Sequence, residues 1–449
     1  MGAHQRRTVI GSALAGLTVA CLSGGGLAPV AAAELDSEPE GRPGLVAVTR
    51  PLPDEISTAP LPDDQDSGLP AGVQDQLWDL YAAHPDINVN SLEWSSAEGK
   101  LFAYTAAAAE VEPLFEKHLS AVPVELVLAK HSKREIDAVL DQIASTGGDL
   151  GSGQRVVTAQ PAKDGSTITL GVETLPGARG RTGAGDDVPA LRSSIPLTIE
   201  EAPELATSMR NIGYYANFFS GAISTRPASS TSMQLCTTGF AIAHLSTGQP
   251  GMLSAEHCGR GNIGSTWYYS TVQVKEASLG QYQGMLGGNV GHVDTGIWLG
   301  GNLDAFYPAV FTGGNDGNST LTAIRGAVVP VIGASVCYSG ARSGSICGNR
   351  IEATGQLTCY SASQCYANQS ITQQISNVPA VGNGDSGGPV YQSINGQPHG
   401  AGIISGIVNG GKACSGDPGD ASRSCSTKAI FAPLNAALSS GQWGFKYIP

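Results

Sequence analysis

The chain has 449 residues and a formal net charge of −13, with charged side chains at 14% and 60 glycines. Glycine well above its usual share of about 7%, and charge well below the usual ~25%, exclude a helical bundle or coiled coil and favour short strands joined by turns. The acidic balance excludes general affinity for nucleic acid or an anionic membrane. Past the N-terminus, no apolar run reaches the ~20 residues a spanning helix needs.

His4, Arg6 and Arg7 precede an apolar run over 9–22, and small residues follow down to Ala31, Ala32 and Ala33. Basic, apolar, then A-x-A is the plan of a secretory signal peptide over 1–33, so the expected location is secreted and extracellular. Residues 34–70 are rich in Pro, Asp and Glu and read as a flexible lead. An α+β segment over 71–175 follows. Val73, Leu77 and Leu80 have helical spacing, 87–94 and 101–105 read as a hairpin, and 122–128 reads as a strand. Ser132 with Glu135 matches a capping box, and Ile136, Val139, Leu140 and Ile143 line one face of the helix it opens. A second hairpin, 155–159 with 167–172, turns at Asp164 and Gly165. This segment holds no cysteine, paired carboxylates or nucleophile motif, and reads as a folding or inhibitory prosegment. Residues 176–210, with Arg179 and Arg181, form a linker suited to proteolytic maturation.

From 211 to 449 short β-type runs recur every ~8–12 residues, as at 239–244, 272–277, 295–299, 320–324, 369–375 and 401–408, which predicts an all-β catalytic domain of sandwich or barrel type. A short helix is predicted over 433–439. Eight of the nine cysteines fall between 236 and 425. An even number confined to one part of an exported chain reads as disulfides, and their order suggests the local bridges Cys236–Cys258, Cys337–Cys347, Cys359–Cys365 and Cys414–Cys425. No C-x-x-C pair occurs, and neither a metal nor a cofactor is expected.

The strongest local signal is the run Gly382-Asn383-Gly384-Asp385-Ser386-Gly387-Gly388-Pro389. A serine between glycines can present its hydroxyl on a tight turn. The N–H groups of Gly384 and Ser386 are the candidate oxyanion donors, each worth about 3–4 kcal/mol to a transition state. Serine needs a base. His257 is the candidate, anchored by the adjacent Cys258, whereas His244 and His292 lack such an anchor. Asp294, flanked by apolar residues, is the candidate to orient the imidazole, because a buried carboxylate is costly unless paired. Asp304 and Asp316 lie in turn-like stretches and read as solvated. The nucleophile-elbow order Ser, acid, His is excluded, since His399 is the one histidine after Ser386 and no carboxylate lies between them.

The order His257, Asp294, Ser386 and the surrounding motifs resemble those of chymotrypsin-type serine proteases, of the secreted bacterial streptogrisin and α-lytic kind. The matching runs are Ser254-Ala255-Glu256-His257-Cys258, Asp294-Thr295-Gly296-Ile297, the G-D-S-G-G-P at 384–389, Val336-Cys337-Tyr338-Ser339-Gly340 with Cys347-Gly348, and Phe431-Ala432-Pro433-Leu434. The resemblance covers about half the chain. It implies two antiparallel six-stranded β-barrels with the triad between them, and a zymogen whose prosegment aids folding and then inhibits. It also implies that Ser405 bonds the triad aspartate and that Ser405, Gly406 and Ile407 pair with substrate backbone. Ala380 and Val381 would form the base of the specificity pocket and Ile407 would narrow it, which suits a small or medium apolar side chain.

Asp385 would need a cation. Tyr338 replaces the arginine often found in relatives, leaving Arg342 or a new amino terminus near Arg210 as candidates. Glu256 replaces a small residue beside the histidine. The function implied is a serine endopeptidase acting on polypeptides, monomeric, with its own prosegment as partner. The alternative is a catalytically silent homologue that serves as an extracellular binding module.

Overall fold

Capping, apolar spacing and glycine turns produce a molecule dominated by strands, with five short helices among the described residues. The computed structural model describes residues 42, 44–53, 56–61, 68–70, 72–150, 153–174, 191, 193–202, 205–206, 218–227, 233–269, 277–286, 293–300, 306–314, 319–411, 413–416 and 423–449. The predicted signal peptide, His292, Asp304, Asp316, Arg210 and most of the 272–277 run lie outside them. No helix among the described residues is long and apolar enough to cross a membrane.

The N-terminal α+β segment is built on local signals. Helix Val73–Ala83 buries Val73, Leu77, Trp78 and Leu80. Strand Ser91–Ser95 pairs antiparallel with Lys100–Thr105, and the latter pairs parallel with Val124–Leu128. Parallel neighbours need a crossover, and helix Ala108–His118 supplies it, burying Val111 and Phe115 despite Pro113 in its interior. Sequence reading had no helix there. At helix Lys133–Ser145 the Ser132 hydroxyl accepts from the Glu135 N–H, and the Glu135 carboxylate accepts from the Ser132 N–H. The helix lays Ile136, Val139, Leu140 and Ile143 on the hairpin Gln154–Pro161 and Ile168–Thr174. Four such side chains contribute on the order of 1.5–3 kcal/mol each. The cap contributes about 1 kcal/mol, so packing dominates and the cap sets where the helix begins.

This segment is continuous with the rest. Strand Gln154–Pro161 pairs antiparallel with strand Gly344–Ser361, extending an eleven-stranded sheet, and strand Leu197–Glu201 adds to its outer edge. Leu357, Cys359 and Ala367 enter the same apolar cluster as Ile136 and Leu140. Within that sheet the 344–361 strand leads through Gln364–Gln374 and Lys428–Pro433 to Gln397–Val408, Pro389–Ile394 and Ser335–Gly340.

A nine-stranded sheet carries the other half of the site, including Ala241–His244, Pro250–Ser254 and Gly296–Gly300 as neighbours. Its core includes Trp267 and Trp298, both fully buried, with ring centroids 5.3 Å apart. Order begins earlier than the 34–70 reading placed it. Strand Leu45–Ala47 pairs parallel with Trp443–Tyr447, and Ile56–Ser57 pairs parallel with Thr320–Ala323. The apolar residues that anchor this stretch are sparse in sequence, but Leu45, Ile56, Leu61 and Leu69 are all buried.

The contrast between cap and core is measurable. Ser132→Ala should lower unfolding free energy by about 1 kcal/mol and Leu140→Ala by about 2–5 kcal/mol in urea denaturation of the full chain. Equal losses would contradict the packing account.

Candidate active site

Strand Pro250–Ser254 ends at Ala255, and the four-residue helix Glu256–Gly259 turns His257 back toward the loop that carries Asp294. The Cys236–Cys258 disulfide fixes the next residue to strand Met233–Thr237. Asp294 is fully buried. One of its oxygens accepts the His257 main-chain N–H at 3.0 Å, and the other lies 2.6 Å from His257 Nδ1. The Ser405 hydroxyl donates to that second oxygen at 2.6 Å, and Tyr360 OH lies 2.9 Å from Ser405 Oγ. A carboxylate with three donors is paired as burial demands.

The same contacts set the tautomer. With a proton on Nδ1 aimed at Asp294, the basic nitrogen is Nε2, which is buried and makes no hydrogen bond among the described residues. Burial of the His257 ring works against its charge, but the Asp294 carboxylate and hydrogen bond, with a contribution from Glu256, outweigh it. The ring is held above its ordinary pKa.

Ser386 is tied by its backbone to Thr237 and lies near Cys258, the residue after His257. Its carbonyl accepts the Thr237 N–H at 2.8 Å and lies 3.8 Å from the Cys258 sulfur, so the residues carrying serine and histidine run side by side. Gly384 has φ 109°, a left-handed conformation that favours glycine. Gly387 has φ 87°, and a Cβ there would run into the Ser254 hydroxyl and the Thr237 carbonyl.

The 382–388 turn is fixed from below by Asp385, also fully buried. Its carboxylate accepts the N–H groups of Gly382, Arg342 and Ser343 at 2.8, 2.7 and 3.0 Å and the Ser343 hydroxyl at 2.6 Å. Among the described residues the cation facing it is Arg423. Its side chain is fully buried, 3.7 Å from Asp385 and 2.9 Å from the Ser343 hydroxyl. Burial pushes the Asp385 carboxyl up, against the pull of Arg423 and the donors. This corrects the expectation of Arg342: it contributes its main-chain N–H, and Tyr338 is buried with its hydroxyl on Thr372, while the segment that would supply a new amino terminus near Arg210 lies outside the described residues. Arg423 was missed because it lies 38 residues from Asp385 in sequence with nothing local to mark it; its nearest signal is Cys425, two positions on.

All four expected disulfides form. Cys414–Cys425 closes the loop that delivers Arg423, and Cys425 lies opposite Gly382 in a two-stranded pairing. Ala380, Val381 and Ile407 are buried, and Gly406 packs against the Tyr360 hydroxyl. The 405–408 stretch is not bare. Leu205 and Ala206 pair antiparallel with Val408 and Ile407. His244 and His399 sit away from this cluster. His244 bonds Ser246 beside Trp443, and the His399 ring lies on Gly326 and the Gln397 carbonyl. Among the described residues no group of three or more His, Cys, Asp and Glu is placed to hold a metal.

No family model matches the chain. Solved structures that overlap it include Thermobifida fusca Protease A, at 23% identity and TM-score 0.36, covering 51% of this chain and 98% of that one. Nocardiopsis Protease overlaps at 22% identity and TM-score 0.37, covering 51% and 98%. A glutamic acid specific serine protease overlaps at 21% identity and TM-score 0.37, covering 51% and 100%. Overlap at this level carries no functional weight, and what the site can do is read from its side chains.

The buried pair gives a direct test. Arg423→Met leaves Asp385 without its cation and should lower unfolding free energy by about 3 kcal/mol in urea denaturation, since breaking a buried pair typically costs 3–5 kcal/mol and the four remaining donors soften the loss. An unchanged midpoint would mean that Arg423 does not hold this turn.

Proposed function

We propose that the chain is a secreted serine endopeptidase made as a zymogen, with two antiparallel β-barrels forming its catalytic part. The observation that carries this reading is the buried Asp294 carboxylate holding His257 by both its main-chain and its ring nitrogen, with the sulfur of the adjacent Cys258 3.8 Å from the Ser386 carbonyl.

In this reading Nε2 of His257 takes the proton of the Ser386 hydroxyl as Oγ attacks a peptide carbonyl. The carbonyl oxygen gains charge and is received by the N–H groups of Gly384 and Ser386. His257 then gives its proton to the leaving amine, and water, activated by the same nitrogen, releases the acyl group. Hydrogen bonds between such a serine and its base are commonly long before substrate binds. The Asp294 contacts serve this chemistry because they fix one tautomer and stabilise the charged ring formed during attack.

Substrate would enter as an added antiparallel strand along 405–408, gaining main-chain hydrogen bonds. Leu205 and Ala206 already lie antiparallel to that strand, which supports an inhibited precursor in which the N-terminal segment sits in the substrate track. The uncharged Ala380, Val381 and Ile407 support a preference for small or medium apolar side chains.

Two outcomes test the reading. Ser386→Ala should fold as the parent does, lose labelling by a fluorophosphonate, and lose peptide hydrolysis by about a million-fold. Failure of the processed parent itself to label would leave the silent binding homologue. N-terminal sequencing of the secreted form should place the cut within a few residues after Ala206, where a chain held in the substrate track meets the serine; a first cut near 176–181 would contradict that track.

A further inference from the structure

This inference rests on the endopeptidase reading. We propose that Glu256 is a second acidic positioning residue for His257, fastened by Tyr366 and Arg260, through which the hairpin closed by Cys359–Cys365 stabilises the charged imidazole.

Glu256 directly precedes His257 and is 6% exposed. A carboxylate at such depth is expensive unless paired. Its partners come from two places: Tyr366 OH donates to Oε2, and the Arg260 guanidinium lies 3.4 Å from the same oxygen. Tyr282 OH donates to the Glu256 main-chain carbonyl at 3.1 Å, fixing the start of the short helix. Tyr366 and Tyr282 are both fully buried.

The hairpin therefore reaches the histidine by two arms. Tyr360, next to Cys359, donates to Ser405, which donates to Asp294, and its ring lies 5.8 Å from that of His257. Tyr366, next to Cys365, reaches Glu256. The two tyrosine rings are 6.1 Å apart. Both arms end on carboxylates that act on one ring, and the disulfide joins their bases.

The titratable groups around His257 are Asp294, Glu256 and Arg260, with Tyr282, Tyr360 and Tyr366 packed beside them. Burial holds all three tyrosines well above the ordinary phenol range, so they stay neutral. Arg260 opposes Glu256 in sign, but its side chain is 36% exposed against 8% for Glu256. Solvent screens the cation more than the carboxylate, and the net field favours a proton on His257.

The test follows His257 by nitrogen NMR in the full chain labelled with nitrogen-15 histidine, with Ser386→Ala in every sample to prevent self-digestion. Glu256→Gln keeps an acceptor for Tyr366 and removes the charge. It should lower the proton affinity of His257 by about tenfold, the low end of what a neighbouring opposite charge does, because Arg260 offsets part of that charge. Arg260→Met should raise it. In processed enzyme with Ser386 intact, Glu256→Gln should move the acid limb of kcat/KM to lower pH by the same factor. A His257 titration unmoved by Glu256→Gln overturns the proposal. If that variant does not fold, an unmoved or lowered titration in Arg260→Met overturns it. Absence of fluorophosphonate labelling in the processed parent would instead overturn the endopeptidase reading, and the NMR titration would still report on Glu256.

Discussion

A single buried carboxylate organises the site. Asp294 has no exposure to water, so each of its oxygens must find donors within the fold, and it finds them on a helix that follows a strand of one sheet and on a strand of another. The His257 contacts come from the helix that follows Pro250–Ser254, and the Ser405 contact comes from Gln397–Val408. Satisfying one desolvated charge thereby locks the two sheets in register around the histidine. Asp385 repeats the logic beneath the serine turn, where a lone cation would not be enough and three main-chain N–H groups share the load. Buried carboxylates of this kind stabilise little in net terms but are costly to disturb, and they fix geometry rather than add stability.

The parts of this arrangement that could be read from sequence are those whose cause is local. A glycine-flanked serine, a capping serine three residues before a glutamate, and cysteines a few residues apart carry their own explanation, and the structure places each in the expected element. The helix 108–118 escaped because Pro113 interrupts its pattern, although Val111 and Phe115 keep the helical spacing of a buried face. Strands 45–47 and 56–57 escaped because they pair with residues hundreds of positions away and are too short to show alternation. Arg423 and the tyrosines at 360 and 366 escaped for the same reason: a side chain that answers a distant charge has no local signature. The role of Glu256 became legible only with its partners in place.

The N-terminal α+β segment and the β-rich remainder share hydrogen bonds and apolar core rather than meeting at a polar seam. Strand pairing between 154–161 and 344–361 runs into the same hairpin that reaches His257. The Ile136–Leu140 face packs on Leu357 and Ala367 of that hairpin. Any event that loosens one side is therefore felt by residues near the imidazole through a few packed layers.

The pairing of residues 45–47 with 443–447, themselves hydrogen-bonded to 241–244, has a consequence for synthesis. A sheet that pairs Leu45 with Phe445 cannot close at that edge while the ribosome is still adding the residues between them. Pairings so distant in sequence make assembly slow, and this edge of the sheet stays open until residues 443–447 have emerged. That edge is therefore among the last parts of the fold to be completed, after local units such as the helix and hairpin over 133–174.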